Sequence, residues 1–213
     1  MSDDNQFRFL FHVHTAASFD ATTSLRRLLS VAAKHQVTHI AITEHNNCSS
    51  LVRARDLVAS LKLRIEIVPA VEYSTEVGDI IVLFVPELLE FRSYKDILRE
   101  AKARGGIIVL PHPYKRRAYP PDLIANLDLY ELANFRDAAK TFDPSPFGAI
   151  AFIFGSDAHN WFDLPGCINN YYSNVDFRST ILRGHPVPSF HRADVMLVNK
   201  LSKLVSKIRR GVR

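Results

Sequence analysis

The sequence has only two cysteines, one tryptophan and eight glycines in 213 residues. Cys48 and Cys167 are too few for a disulfide framework and lack the paired spacing of a zinc site, so we expect two buried free thiols. No segment offers the roughly 18 successive apolar residues that a membrane span requires. The segment Met1 to Gln6 is acidic and polar, unlike a secretory signal. These absences predict a soluble, cytoplasmic protein.

Positive charge is concentrated near the end of the chain. The net charge is +5, but six cations and no acid lie between Val195 and Arg213, which leaves 21 cations against 22 acids elsewhere. The nearly neutral remainder argues against a general nucleic-acid surface. Apolar residues at three-to-four spacing over 195–208 predict an amphipathic helix with a basic face. We expect it to pack on the main domain, with contact to an anionic surface or a partner as the alternative.

Strand-length apolar runs alternate with helical patterns, which predicts an α/β fold built from β/α units. The predicted strands are Phe7–Val13, His39–Ile42, Ile65–Val71, Ile80–Val85, Ile107–Leu110, Leu127–Leu132, Ile150–Phe154 and Asn169–Tyr172. The predicted helices are Leu25–Lys34, Leu51–Leu61, Tyr94–Arg104 and Phe177–Leu182, with a short one opening at Pro120-Pro121. With 47% hydrophobic residues, we expect one catalytic domain over residues 1–184 and a basic helical tail over 185–213.

His or carboxylate residues stand at the ends of five predicted strands. The five segments are His12-Val13-His14, Thr43-Glu44-His45, Val71-Glu72-Tyr73, Pro111-His112-Pro113 and Gly155-Ser156-Asp157-Ala158-His159. The spacing of His12 and His14 predicts that both imidazoles share one face of a strand while Phe11 and Val13 share the other. Each segment alone fits an ordinary structural role. Together they predict a metal site at the carboxyl ends of the strands.

These motifs, in this order, resemble the PHP (polymerase and histidinol phosphatase) domain superfamily. The resemblance rests on Phe11-His12-Val13-His14-Thr15, Ser18, Asp20, Ile42-Thr43-Glu44-His45-Asn46, Val71-Glu72-Tyr73-Ser74-Thr75, His112-Pro113 and Gly155-Ser156-Asp157-Ala158-His159. It extends from the first strand to about Gly184. It implies a distorted (β/α)7 barrel, a trinuclear centre of divalent ions such as manganese, zinc or iron, and phosphoesterase activity.

The resemblance also implies a ligand set. The first metal would be held by His12, His14, Glu72 and Asp157, the second by Asp20, His45 and His159, and the third by Glu72, His112 and Asp79. Asp79 stands where the family often has a histidine, and Asp20 stands where members have His or Asp. If both fail as ligands, the centre shrinks to two metals. Phe11, Glu44 and Ala70 also depart from the family pattern without removing a proposed ligand.

A carboxylate that bridges two cations would hold a water whose pKa is strongly lowered, and the resulting hydroxide would attack phosphorus. Asp157 and His159 are therefore candidate catalytic residues, with His159 as ligand or as the acid for the leaving alkoxide. Among the cations Lys115, Arg116 and Arg117, we expect Arg116 or Arg117 to bind the phosphoryl oxygens. Glu131 and Asn134 are expected to orient metal-bound histidines or to satisfy a strand end.

The predicted substrate is the phosphate ester of a small metabolite or nucleotide. A nuclease acting on short oligonucleotides is the close alternative, although the nearly neutral domain offers little for a long phosphate-tracking groove. An amidohydrolase barrel also begins with His-x-His but fits the Gly-Ser-Asp-Ala-His segment less well. A catalytically inactive scaffold is the non-enzymatic alternative. An inactive scaffold would have no physical reason to retain so many clustered carboxylates and imidazoles.

Overall fold

The computed structural model contains two five-stranded sheets. It describes residues 6–136 and 142–190 and the tail residues Lys200, Leu201, Leu204, Val205, Lys207 and Ile208. The strands are β1 (Gln6–Val13), β2 (His39–Ile42), β3 (Glu66–Val68), β4 (Ala70–Thr75), β5 (Gly78–Leu83), β6 (Ile107–Leu110), β7 (Leu129–Asn134), β8 (Ala151–Gly155), β9 (Cys167–Tyr172) and β10 (Val187–Phe190). The helices are α1 (Leu25–Lys34), α2 (Ser50–Ser60), α3 (Tyr94–Ala103), α4 (Pro121–Ile124) and α5 (Phe177–Arg183).

The sheet order is β10-β9-β1-β2-β3 in one sheet and β4-β5-β6-β7-β8 in the other. Strands β1, β2 and β3 are mutually parallel, as are β6, β7 and β8. Strand β5 is antiparallel to β4 and β6, and β9 is antiparallel to β1 and β10. The α/β class is confirmed. The closed (β/α)7 barrel is not, because the ladder divides into two sheets and includes these antiparallel strands.

The two sheets nevertheless share one core and meet at the site edge. One buried cluster includes Phe9 and Phe11 from β1 together with Ile81, Val109 and Ile153 from the second sheet. Single bridges, Val13 to Ala158 and His45 to Glu72, join the sheets just where strands end. The carboxyl ends of both sheets are therefore held against each other by backbone contacts.

The alternation predicted for β1 fails at His12. Phe11 packs with Phe9 in the core between the sheets, whereas Val13 packs with Leu10 on the side covered by α1 and α2. The pairing of β1 with β2 shifts register between Leu10 and Val13, and His12 has a φ of 60°. A bulge of this kind changes the direction of side chains, so that residues beyond it point to the opposite face from the one that strict alternation predicts. The prediction that Phe11 and Val13 share a face is therefore wrong.

The helices begin at ordinary capping residues. The Ser24 side chain accepts from Arg27 N at the start of α1, and Ser93 with Asp96 forms a capping box at the start of α3. Four predicted helices match the structure to within one residue at each end. Strand β10 and the break at Pro69 between β3 and β4 were not predicted.

The predicted tail helix falls partly outside the described residues. The described tail residues are helical, and the side chains of Leu201, Leu204 and Ile208 are 47%, 55% and 58% exposed. The division into residues 1–184 and 185–213, and the packing of the tail, remain predictions. No helix among the described residues is both long enough and apolar enough to cross a bilayer. Cys48 and Cys167 are free thiols, as predicted, but only Cys167 is buried.

Candidate metal centre

Nine predicted ligands converge on one edge of the molecule. They are His12, His14, Asp20, His45, Glu72, Asp79, His112, Asp157 and His159. Most are buried: the exposed fraction is 0% for His12, His14 and Asp20 and at most 4% for Glu72, His112, Asp157 and His159. The histidines and Asp157 lie at or after the carboxyl ends of parallel strands, as expected for such sheets, whereas Glu72 lies on β4 and Asp79 at the start of the antiparallel β5.

Glu72, on β4, lies at the centre of the cluster. Its Oε2 is 3.4 Å from His12 Nε2 and 3.2 Å from His14 Nε2. The same oxygen is 3.3 Å from His45 Nδ1. Its other oxygen, Oε1, is 3.2 Å from His112 Nε2. A carboxylate placed between four imidazoles has the geometry of a bridging ligand, with one oxygen toward each side of the cluster.

Asp20 lies between His45 and the fifth histidine, His159. Its Oδ1 is 3.4 Å from His45 Nε2, and its Oδ2 is 3.2 Å from His159 Nε2. The ligand atoms of His14, His45 and His159 also lie within 4.8 Å of one another. The structure thus brings together the three residues assigned to the second metal.

Asp79 reaches the site because β5 runs antiparallel to β4. Asp79 pairs with Ser74, so the start of β5 lies beside the carboxyl end of β4. Its Oδ2 is 3.8 Å from His112 Nε2, and ligand atoms of Glu72, Asp79 and His112 form one compact group. This group supplies two carboxylates and one imidazole, whereas the group around His14 supplies imidazoles.

The polar atoms of the cluster fit divalent cations. His12 Nε2, His14 Nε2, both ring nitrogens of His45 and Glu72 Oε2 are buried and have no hydrogen-bond partner among the described residues. Buried polar atoms without partners cost free energy, so several of them aimed at a common point indicate a missing ligand. Imidazole nitrogens and carboxylate oxygens bind zinc, manganese and iron.

Glu131 orients two of these histidines from behind. Its Oε1 accepts from His12 Nδ1 at 2.8 Å, and its Oε2 accepts from the backbone N of His112 at 2.8 Å. Asn134 Nδ2 donates to the same Oε2 at 3.0 Å. A Cβ on Gly155 would overlap the Glu131 carboxylate, which explains the glycine that opens the Gly-Ser-Asp-Ala-His segment. The orienting role predicted for Glu131 is what the contacts show.

Glu44 is a buried carboxylate that organises the loop before Asp20. It accepts from the hydroxyls of Thr15, Ser18 and Ser50, and from the backbone N of Thr15 at 3.2 Å. The backbone N of His45 donates to Ser18 Oγ at 3.2 Å. Glu44 therefore holds the loop against the end of β2 rather than facing the metal ligands.

Three proposed ligands have left-handed backbone conformations. The φ angles are 60° at His12, 34° at His112 and 50° at Asp157. Such conformations cost about 1–3 kcal/mol in residues other than glycine, and they cluster at functional sites. His12 lies one residue before the end of β1, and His112 and Asp157 lie two residues beyond β6 and β8. The unusual backbone therefore directs each side chain at a strand end.

The protonation equilibria reflect close packing of acids and imidazoles. Burial alone would lower the pKa of His12, but the carboxylates of Glu131 and Glu72 outweigh it and raise that pKa well above its usual value. Burial would raise the pKa of Glu72, yet the adjacent imidazoles, His12 first, lower it well below its usual range. Burial and repulsion from His159 lower the pKa of His14 to about 3.

A cavity of about 330 Å³ opens onto the cluster. Besides proposed ligands, it is lined by Phe19, Ser74, Lys115 and Arg136. The side chain of Arg136 is 11% exposed, and its Nη1 lies 3.7 Å from Asp157 Oδ1. Burial raises the pKa of Asp157, but His12 and Arg136 more than offset this and lower it. Two cations thus face the space above the ligands.

The arginines chosen from the sequence lie elsewhere. Arg116 Nη2 donates to the carbonyl of Glu76 at 3.1 Å, and neither Arg116 nor Arg117 lines the cavity. The phosphate-binding role of these two residues stays a prediction, whereas the cations that line the cavity are Lys115 and Arg136. Arg136 follows β7 in a segment without a recognisable motif, so only its nearness to Asn134 could have signalled it.

Comparison with known proteins agrees with this site. Residues 11–105 match the family model of the PHP domain, a span that runs from β1 past α3 and includes most of the proposed ligands. This part of the chain is similar to the PHP domain. An uncharacterised protein of Methanocaldococcus jannaschii is 31% identical over 114 residues, which make up 48% of this chain and 66% of that protein. The alignment thus spans slightly less than two thirds of this relative.

Solved structures share the fold of this chain. A two-domain protein of Bacteroides vulgatus, described as containing a predicted PHP-like metal-dependent phosphoesterase, superposes with a TM-score of 0.70 at 18% identity over 92% of this chain and 70% of the other. A lesion-specific endonuclease of Pyrococcus furiosus superposes with a TM-score of 0.59 at 11% identity, over 84% of this chain and 55% of that one. At these identities the likeness concerns the fold.

Proposed function

We propose that the protein is a metal-dependent phosphoesterase that hydrolyses the phosphate ester of a small metabolite or nucleotide. The observation that carries this proposal is the bridging position of Glu72 between four imidazoles whose ring nitrogens face a cavity with cations on its wall. The phosphoesterase description of the Bacteroides vulgatus protein supports the same reaction. The volume of about 330 Å³ suits a small ester, since ligand pockets start near 300 Å³.

The proposed ligands divide into three groups around Glu72. The first group is His12, His14, Glu72 and Asp157, the second is Asp20, His45 and His159, and the third is Glu72, Asp79 and His112. Divalent cations bound to such groups lower the pKa of water and neutralise phosphoryl oxygens. The number of ions is two or three, and Asp79 and Asp20 decide between these.

The protein groups around the ligands have separate tasks. Glu131 holds His12 Nδ1 and thereby directs His12 Nε2 toward Glu72. Lys115 and Arg136 bind non-bridging phosphoryl oxygens, which hydrogen-bond strongly to cationic donors. His159 Nδ1 lies 2.9 Å from the carbonyl of Asp157, which holds the imidazole in place. Glu44 holds the loop that carries Asp20 close to the end of β2.

Metal analysis combined with phosphate release tests the proposal. Purified protein would be stripped with chelator, reloaded with manganese, zinc or iron, and assayed on p-nitrophenyl phosphate and mononucleotides. Glu72→Gln should abolish turnover and reduce bound metal, because it removes the bridging charge while keeping the side-chain shape. Glu87→Gln, at a side chain that is 62% exposed, is the matched control and should behave as the parent. Absence of both metal and turnover in the parent protein would contradict the proposal.

A nuclease acting on short oligonucleotides is the second candidate. The observation that favours it is the structural likeness to the lesion-specific endonuclease. Against it, the domain outside the tail is nearly neutral, whereas tracking of a nucleic-acid backbone depends on positive charge. Turnover of short oligonucleotides at least as efficient as that of mononucleotides would favour the nuclease.

A further inference from the structure

Phe19 is an exposed aromatic residue at the rim of the candidate metal centre. Its side chain lines the cavity and is 41% exposed, whereas Phe9 and Phe11 are completely buried. Its ring centroid lies 5.1 Å from that of His45, with an angle of 35° between the planes. The buried hydrophobic clusters of the described chain do not include Phe19. Its aromatic surface therefore contributes little to the core.

The segment that carries Phe19 is firmly anchored on both sides. Ser18 is 2% exposed and donates through Oγ to Glu44, and Asp20 is 0% exposed between two histidines. The backbone N of Ala21 donates to the carbonyl of Ser18 at 3.5 Å. An aromatic ring held by a rigid loop loses little conformational entropy when a ligand packs on it. Phe19 is thus preorganised as a contact surface.

The Phe19 ring is placed to contact the ester substituent of a substrate rather than its phosphoryl group. Lys115, Arg136 and the proposed ligands can bind the charged oxygens, and Phe19 carries the only phenyl ring among the described lining residues. A phosphoryl group bound beside His45 would bring the first atoms of its ester substituent close to this ring. Single exposed phenylalanines are common on protein surfaces. A phenylalanine that faces a polar, charged cavity is unusual, because the apolar ring gains nothing from such surroundings.

We propose that Phe19 stacks on a planar ring of the substrate's leaving group, so that the preferred substrates are phosphoesters of nucleosides or other aromatic alcohols. This inference rests on the proposed phosphoesterase function and narrows its substrate class. Stacking on an aromatic side chain tolerates different rings, since each presents a π-face. Phe19 therefore selects aromatic over aliphatic esters without distinguishing one base from another.

Binding of non-hydrolysable phosphonates separates this inference from turnover. Metal-reconstituted protein would be titrated calorimetrically with phenylphosphonate, cyclohexylphosphonate and methylphosphonate. The parent protein should bind the phenyl compound about 5- to 100-fold more tightly than the methyl compound, with the non-planar cyclohexyl compound weaker than phenyl. Phe19→Leu should lose most of this preference while binding methylphosphonate as before. Phe19→Trp should retain or increase it.

Phe190→Leu is the matched control, because Phe190 is 40% exposed on β10 and does not line the cavity. It should keep the full preference, and thermal unfolding should show all three variants folded. A preference that persists in Phe19→Leu, equal binding of phenyl and cyclohexyl compounds, or no binding of any phosphonate would overturn the inference. Aromatic preference without phosphoester turnover would instead contradict the proposed function and leave the stacking role standing.

Discussion

His12 Nδ1 donates a hydrogen bond of 2.8 Å to Glu131 Oε1, and both side chains are completely buried. Because an ionised carboxylate only accepts, the proton on this side of the ring is fixed at Nδ1. The opposite nitrogen, Nε2, then faces Glu72 and is available to a cation. One buried pair thus sets both the orientation and the tautomer of a proposed ligand.

Glu131→Gln should weaken metal binding although Glu131 is not itself a proposed ligand. The amide can orient its oxygen toward His12 Nδ1, but it then turns its NH2 group toward the backbone N of His112, which also needs an acceptor. Loss of such orienting groups costs about 10- to 100-fold in metal affinity. Competition with a fluorescent chelator would measure the change. Unaltered affinity, with Glu87→Gln as reference, would show that Glu131 only fills space.

Asp79→His should shift the metal preference of the site. The group of Glu72, Asp79 and His112 has two carboxylates and one imidazole, and oxygen ligands favour manganese over zinc. Replacing one oxygen ligand by nitrogen should raise the zinc-to-manganese ratio severalfold after equilibration with both ions at equal concentration. Elemental analysis of the desalted protein gives the ratio. An unchanged ratio would place Asp79 outside the ligand set.

Arg136→Gln should impair binding of the phosphoryl group far more than Arg116→Gln does. Arg136 lines the cavity beside Asp157, whereas Arg116 donates to the Glu76 carbonyl. A hydrogen bond to a charged group is worth about 1.5–3 kcal/mol, so KM should rise roughly 10- to 100-fold for Arg136→Gln and less than about twofold for Arg116→Gln. Steady-state kinetics on p-nitrophenyl phosphate compares the two variants. The reverse order would restore the role that the sequence predicted for Arg116.

The sequence predicted which histidines and acids come together, because most of them lie at or just beyond the carboxyl end of a strand, and such ends meet at one edge of the molecule. It predicted the bulge at His12 badly, because the periodicity of Phe9, Phe11 and Val13 continues through a residue whose backbone breaks the alternation. Pairing direction was also inaccessible. Only the antiparallel turn between β4 and β5 explains how Asp79 arrives beside His112.

Arg136 shows a further limit. Its position in the cavity depends on the path of the loop after β7, which no local sequence pattern encodes. The three adjacent cations at 115–117, in contrast, form a recognisable basic segment and were therefore predicted to bind phosphate. Similarly, the tail's periodicity predicted a helix but gave no information about what covers its apolar residues.

His39 should make folding stability pH dependent. Burial lowers its pKa below the usual value, and the attraction of Glu66 only partly offsets this. The ring stacks on Phe177 with centroids 3.9 Å apart. Because the unfolded chain takes up a proton near pH 6.5 that the folded protein still excludes, stability is complete above that pH and falls as the pH drops below it.

His39→Phe should remove this part of the pH dependence while keeping the aromatic contact. The measurement is the free energy of unfolding of metal-free protein in urea between pH 7.5 and 5, where contributions from the other histidines are common to both proteins. The parent should lose more stability than the variant as the pH falls. Parallel curves would mean that His39 does not carry the effect.

The central claim is that the clustered imidazoles and carboxylates bind the cations on which phosphoester hydrolysis depends. Release of inorganic phosphate from p-nitrophenyl phosphate, followed as divalent metal is added back to chelator-stripped protein, tests it most directly. We predict no release without metal, saturable recovery with at least one of manganese, zinc or iron, and no recovery in His14→Ala. Release that survives stripping, or no release with any of the three metals, would contradict the account.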